Sequence, residues 1–488
     1  MRRPTGLLKR IWIWLDDRTG LGRVWEVLAK HRTPPGTGWM YIFGVATLTA
    51  FIVQVITGIA LATVYVPAAD TAYQSLEFIT NRSTLGNLIR GLHYFGASAM
   101  ILFVGIHMVR VFLTASYKYP REVNWLTGVA LLGLTVTMGF TGQLLRWDQN
   151  AVWSAVVAAE QAGRTPWLGK AIAHFILGGR NIGGATLSRF FSAHVFLLPG
   201  MIIGILTIHL YLVIRNGISE PPKAGERVDP ATYKEKYRNL LEERGLPFWP
   251  YAAWRDIVFA ALVVLGIVLL AAMIGPPVLG KPPDPTIVQA QPRPDWYMLW
   301  YFALLALLPH GTERYLILLI PLGIGLVLIL LPLVANRGER SPRRRPWSIA
   351  IVLSVVVVVG ILWHAGARTP WSPDFSAKPL SADVVNDTTP LVLRGASLFH
   401  AKGCQYCHRI AGQGGQRGPD LSTVGDQLTA EELTIQIMNG GYNMPAYGGN
   451  MRPDELDALV AFLRSRTSAS RAVPTPLDAS QGAPDSER

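Results

Sequence analysis

The stretch GLHYFGASAMILFVGIHMVR, residues 91–110, is long and apolar, and it carries His93 and His107 fourteen residues apart. A helix needs about 20 mostly apolar residues to cross a bilayer, and an ionisable side chain inside such a run points to a function. Fourteen steps along an α-helix return to within about 40° of the same face and rise about 21 Å. A second run, AHVFLLPGMIIGILTIHLYL at 193–212, holds His194 and His209, fifteen apart. Fifteen steps return to within about 60°. Each helix therefore shows two imidazoles on one side.

Working outward, apolar runs of spanning length fall at about 40–65, 89–113, 125–145, 194–214, 256–276, 314–335 and 348–365. The apolar stretch Trp296–Leu308 is too short to span and fits a helix packed in the membrane interface. The chain is 50% hydrophobic and 16% charged, against about 25% charged in soluble domains. The fold class expected is all-α, a seven-span transmembrane bundle followed by a small all-α domain.

The formal charge of +13 reads as loop charge beside a membrane, and no nucleic-acid partner is expected. Arg2, Arg3, Lys9 and Arg10 precede the first span, and Lys118 and Arg121 follow the second. Lys223, Arg227, Lys234, Lys236, Arg238 and Arg244 follow the fourth, and Arg337, Arg340, Arg343, Arg344 and Arg345 follow the sixth. With seven spans these four segments share one side, which is then cytoplasmic, and the C-terminus lies outside. The link between the third and fourth spans also carries Arg and Lys, so the bias is imperfect. The N-terminus is basic and amphipathic without an uninterrupted apolar core, and reads as a surface helix rather than a signal peptide.

The second and fourth spans run in the same direction, so His93 can meet His194 and His107 can meet His209. Imidazole is a common axial ligand of haem iron, and the pattern predicts two haems b, each held by two histidines. Gly44 and Gly58 on the first span, and Gly128 and Gly142 on the third, repeat the interval of fourteen. A missing side chain lets a flat macrocycle approach the backbone.

Cys404-Gln405-Tyr406-Cys407-His408 has the C-x-x-C-H spacing of covalent haem c attachment, with His408 as an iron ligand. These are the only two cysteines, so no zinc site competes and no disulfide scaffold is implied. Met444, in Asn443-Met444-Pro445, is the expected sixth ligand, with Met438 and Met451 as alternatives. The organisation expected is an N-terminal surface segment at 1–39, a dihaem four-helix domain at 40–220 and a three-helix domain at 221–365. A linker at 366–388, a haem c domain at 389–467 and a disordered tail at 468–488 follow.

At this point residues 20–365 resemble cytochrome b of the quinol-oxidising cytochrome bc complexes. PREVNWLTG (120–128), Trp147-Asp148-Gln149, FWPYAAWRDIV (248–258) and Pro294-Asp295-Trp296-Tyr297 carry the resemblance. The interval of fifteen and the seven spans resemble the plastid type joined to its subunit IV, while the remainder resembles a class I cytochrome c. The resemblance implies a bacterial inner-membrane complex, a likeness to fused b/c subunits and a homodimer. It implies a quinol/quinone substrate and proton translocation. It places Arg90 and Arg189 beside the outer haem and Arg110 beside the inner one. For Arg110 an interface anchor is the alternative.

The resemblance further implies that Asp295 accepts a proton from quinol near Trp296 and Tyr297. A helix N-cap is the alternative role for Asp295. Arg255 and Asp256 become candidates for inner-site proton uptake, with a solvated helix start as the alternative. No cysteine is left for an iron–sulfur cluster, so a separate Rieske iron–sulfur protein is required, with a further cytochrome c or terminal oxidase downstream. Asp295 stands where the family has glutamate, Arg146 where it usually has proline, and Ala50 where the plastid type has a haem-bearing cysteine. A dihaem membrane anchor and electron wire without a quinol site is the rival reading. A haem gas sensor is disfavoured, because the predicted ligand sets leave no open position. His174 and His310 receive no role.

Overall fold

The computed structural model describes residues 6–163, 165–179, 182–283, 294–308, 312–368, 374, 376–387, 389–416, 418–440, 444, 447–448 and 450–469. His310 and the expected tail from residue 470 lie outside the described residues. Among the described residues the chain is mainly helical, and its strands are three two-residue pairings, two between segments outside the spans and one within the C-terminal domain.

Among the described residues, seven helices are long and apolar enough to cross a membrane: Phe43–Ala62, Gly86–Leu113, Glu122–Leu144, Gly184–Asn216, Ala253–Met273, Tyr315–Val334 and Pro346–Ala367. They are the first to seventh spans below. The apolar stretch between the fifth and sixth is a short helix, Trp296–Leu307. Large apolar side chains such as Ile52, Ile56 and Ile59 point outward, as lipid-facing residues do. Small residues line the inner contacts. Ala46 and Ala50 are fully buried, which lets the first span lie close along the second, where Ala50, Phe51, Met100 and Ile202 pack together.

The first and second spans form one pair and the third and fourth another, with the fifth against the first two. The fourth begins at Gly184, ten residues before its apolar run was expected to start. Its added turns carry Ser188, Arg189 and Ser192, so hydropathy misses them while the helix continues. Between the third and fourth spans the chain folds into a helical hairpin, Gln149–Gly163 and Gly169–Leu177.

At one end of the bundle the links are bolted together. Arg340 Nη1 pairs with Glu220 Oε1, and its Nη2 donates to the Glu220 carbonyl at 2.7 Å. Tyr233 Oη donates to Glu220 Oε2 at 2.8 Å, and Arg121 Nη1 donates to Tyr233 Oη at 2.7 Å. One buried cluster thus joins the links that follow the second, fourth and sixth spans. Trp125 Nε1 adds a bond to the Leu328 carbonyl at 2.6 Å, tying the third span to the sixth.

The C-terminal domain packs helices Pro390–Ala401 and Pro453–Arg464 around Phe399, Phe462, Ile410 and Leu459. Gly395 permits that crossing, because a Cβ there would lie 2.0 Å from the Ala458 carbonyl oxygen. Val385, at the end of the stretch expected to be linker, is buried in this core.

Candidate functional site

The two histidine-bearing helices present their rings to each other. The His93 and His194 ring centroids lie 6.3 Å apart at 76°. That separation suits a metal standing between two imidazoles, with bonds of about 2 Å to each nitrogen. His107 and His209 are likewise near enough to interact electrostatically.

The intervals of fourteen and fifteen are reconciled by the backbone. Residues Ala193–Leu197 form a π-helical turn, and the Leu198 N–H reaches back five residues to the Ala193 carbonyl. Pro199 has no N–H to continue an α pattern here. A π turn takes up one extra residue, so fifteen residues of the fourth span cover the rotation that fourteen cover on the second.

Each expected glycine meets one histidine. A Cβ on Gly44 would lie 3.3 Å from His107 Cε1, one on Gly58 3.2 Å from His93, one on Gly128 3.6 Å from His209 and one on Gly142 2.6 Å from His194. Sequence reading missed the residues that hold the rings. Thr57, Thr127 and Thr141 place Oγ1 at 2.9, 2.8 and 3.0 Å from Nδ1 of His93, His209 and His194. A signal existed, since a threonine directly precedes three of the four glycines, while Phe43 precedes Gly44.

The residues present fit two haems. The glycines form cradles that side chains would fill. Arg110 stands over the Tyr41 ring at 3.7 Å, and its Nη1 donates to Ser116 at 3.3 Å. Its buried Nε and Nη2 have no partner among the described residues, as suits a guanidinium facing a carboxylate group. Arg90 donates to Thr80 Oγ1 at 3.2 Å and to the Pro277 carbonyl at 2.8 Å. Arg189 is exposed and donates to the Phe175 carbonyl at 2.9 Å.

Near His93 and His194 lies an apolar cavity of ≈ 280 Å³ between the third span, the link helix Gln149–Gly163, the short helix and the sixth span. Phe140, Gln143, Pro294, Met298, Tyr301 and Phe302 are among its walls. Asp295 adjoins it, and its N–H donates to Gln143 Oε1 at 3.3 Å. Burial pushes the Asp295 carboxyl above its ordinary range, Arg146 pulls it back, and Asp148 pushes it further up. Trp296 Nε1 donates to Ser98 Oγ at 3.2 Å. The buried Tyr297 hydroxyl has no partner among the described residues and packs against Gly139. At the start of the fifth span, half-buried Asp256 follows Arg255, whose Nη2 donates to the Thr37 carbonyl at 2.6 Å.

In the C-terminal domain Cys404 and Cys407 are not bonded to each other. Burial pushes the Cys404 thiol up to about 12, the opposite of a reactive redox dithiol. His408 Nδ1 lies 2.9 Å from the Pro419 carbonyl, an arrangement that leaves Nε2 for iron. A Cβ on Gly418 would lie 2.4 Å from His408 Cε1, another cradle. Met444 and Met451 both pack against the domain core, and Gln436 Nε2 stands 3.8 Å from Met444 Sδ. Asn443 and Pro445 lie outside the described residues.

Fold and site together define a haem-binding membrane protein of electron transport. The family profile "Cytochrome b/b6/petB" matches residues 28–217, "Cytochrome b(C-terminal)/b6/petD" matches 282–381, and "Cytochrome C oxidase, cbb3-type, subunit III" matches 390–463. Cytochrome b6 of Heliobacterium mobile is 42% identical over 43% of this chain and 99% of its own length. The menaquinol:cytochrome c reductase cytochrome b subunit of Geobacillus thermodenitrificans is 35% identical over 44% and 100%. Cytochrome b of Rhodobacter capsulatus is 32% identical over 74% and 86%. Among solved structures, one titled "Hyperthermophilic respiratory Complex III" superposes with a TM-score of 0.62 at 25% identity, covering 73% of this chain and 91% of that one. The chain belongs to the cytochrome b/b6 family and carries a cytochrome c domain at its C-terminus.

Proposed function

We propose that this chain is the cytochrome b/c subunit of a quinol:cytochrome c oxidoreductase in a bacterial inner membrane. The four facing histidines carry the reading, with the apolar cavity beside one of the two pairs. His93 with His194, and His107 with His209, would hold two haems b. Cys404, Cys407 and His408 would attach one haem c, with Met444 as sixth ligand. When bound, these groups supply one-electron carriers.

The chain's own residues handle the quinol and its protons. The walls around Phe140, Met298 and Phe302 take an apolar ring and keep out water. Gln143 anchors the Asp295 backbone, and the Asp295 carboxylate accepts a proton from the quinol hydroxyl. Tyr297 closes the site from the side of Gly139. Asp256 takes up protons for a quinone at the opposite face, with the Arg255 cation beside it. Arg110 pairs with an inner haem carboxylate, and Arg90 and Arg189 serve the outer one.

The Lys- and Arg-rich links face the cytoplasm, and the cytochrome c domain lies outside. Proton release at one face and uptake at the other then translocates charge. A separate Rieske iron–sulfur protein takes the other electron, a further cytochrome c or terminal oxidase accepts from the haem c, and the complex is a homodimer among membrane lipids.

The test is Asp295→Asn in the intact complex. Quinol-driven reduction is expected to fall by about 10²–10⁴-fold, the usual weight of a general base, with haem content unchanged. An unchanged rate would mean that Asp295 is not the proton acceptor.

A further inference from the structure

Arg146 is a cation beside the carboxylate of Asp148 and near enough to Asp295 to act on its charge. Asp148 is fully buried, and backbone groups already satisfy its oxygens: Ala151 N–H reaches Oδ1 at 2.9 Å and Gly280 N–H reaches Oδ2 at 3.0 Å. Arg146 Nη2 stands 3.5 Å from the same Oδ2, longer than a charge-assisted hydrogen bond. Its Nε is buried and has no partner among the described residues. Asp295 is held against the same end of the third span, because its N–H bonds to Gln143, three residues before Arg146.

We propose that Arg146 is a positioning residue for proton removal from quinol: braced by Asp148, its guanidinium keeps the Asp295 carboxylate charged and able to accept a proton. This rests on the reading of Asp295 as the proton acceptor.

Among the described residues, the charged and titratable groups that interact with Asp295 are few. Arg146 and Asp148 face it from the link after the third span, Tyr94 from the second span, and Tyr297 from its own segment. Arg90 acts one step removed, through Arg146 and Asp148. Burial and the Asp148 charge both favour a neutral Asp295, and a neutral carboxylic acid cannot take the quinol proton. Arg146 is the opposing cation, so removing it leaves both of those influences unopposed.

Asp148 has a second, opposite influence. Its negative charge raises the proton affinity of Asp295 directly, while its contact steadies Arg146. The two neighbours therefore predict shifts of opposite sign, which a loss of packing would not produce.

The experiment is the pH–rate profile of quinol oxidation by the intact complex, for the native protein, Arg146→Gln, Arg146→Lys, Asp148→Asn and Asp295→Asn. Arg146→Gln is expected to move the acidic limb up by about 1–3 pH units, the effect of one nearby opposite charge, with the rate recovering at alkaline pH. Arg146→Lys restores the native limb, and Asp148→Asn moves it down. If Arg146→Gln fails to assemble its haems, Arg146→Pro, the residue usual at this position in the family, makes the same test of the lost cation. A uniform drop in rate with the limb in place overturns the role of Arg146 while Asp295→Asn still abolishes turnover. Native rates and an intact limb in Asp295→Asn overturn the proton-acceptor reading itself.

Discussion

Thr57 Oγ1 stands 2.9 Å from Nδ1 of His93 while giving its own proton to the Val53 carbonyl at 2.6 Å. One hydroxyl has one proton, so the ring nitrogen must be the donor. Nδ1 of His93 is therefore protonated, and Nε2 is left as the metal-binding nitrogen. Thr141 and Thr127 repeat the arrangement, donating to the Met138 and Asn124 carbonyls at 3.0 and 2.9 Å.

Thr57→Val is expected to keep the fold and change the ligand. Loss of the Nδ1–H···O bond makes the imidazole a poorer electron donor, which favours the reduced iron. One such bond is worth about 1 kcal/mol, or about 40 mV for a single electron. Redox titration of the b haems should show one midpoint rise by that order. No change in either midpoint would mean that the threonine only packs.

Gly142→Ala should cost the chain one haem. The added Cβ falls 2.6 Å from His194 Cε1, whereas Gly133 on the same helix has nothing within 4 Å of its would-be Cβ. Haem quantitation is expected to find about half the b haem in Gly142→Ala, and the native content in Gly133→Ala. Equal content in both variants would remove the cradle argument.

Asp295 links pH to stability with a definite sign. Burial raises its proton affinity in the folded state. Stability is therefore lost as pH rises from the unfolded value of about 3.9 through the higher folded value. Asp295→Asn should raise the thermal midpoint above that window and leave it unchanged below. A variant less stable at neutral pH would mean that the carboxylate is a structural cap.

In the C-terminal domain, Met444→Ala is expected to retain covalent haem but lower its midpoint potential, because a methionine ligand raises it. Met438→Ala and Met451→Ala should leave the potential near native. A drop in Met451→Ala instead would move the ligand assignment to that residue.

The sequence carried the site further than the connections around it. Histidines and glycines at matched intervals were readable because helical rotation is arithmetic. The three threonines were readable too, as Thr-Gly pairs. The π turn at Ala193–Leu197 left one mark, the interval of fifteen in place of fourteen, but an interval does not say where along the helix the extra residue is taken up. Periodicity is equally silent on the hairpin of Gln149–Gly163 and Gly169–Leu177, and on Arg90, whose bond to the Pro277 carbonyl joins residues 187 apart in sequence.

The central claim is that two histidine pairs and one C-x-x-C-H site work beside a quinol pocket. The most direct measurement is the reduced-minus-oxidised spectrum of the purified complex on adding quinol, with and without a pocket-blocking inhibitor. The account predicts haem b and haem c in a ratio of two to one, from four histidines and one attachment motif, all reduced by quinol and blocked by the inhibitor. The same ratio without inhibitor-sensitive reduction by quinol would contradict it and leave a passive electron carrier.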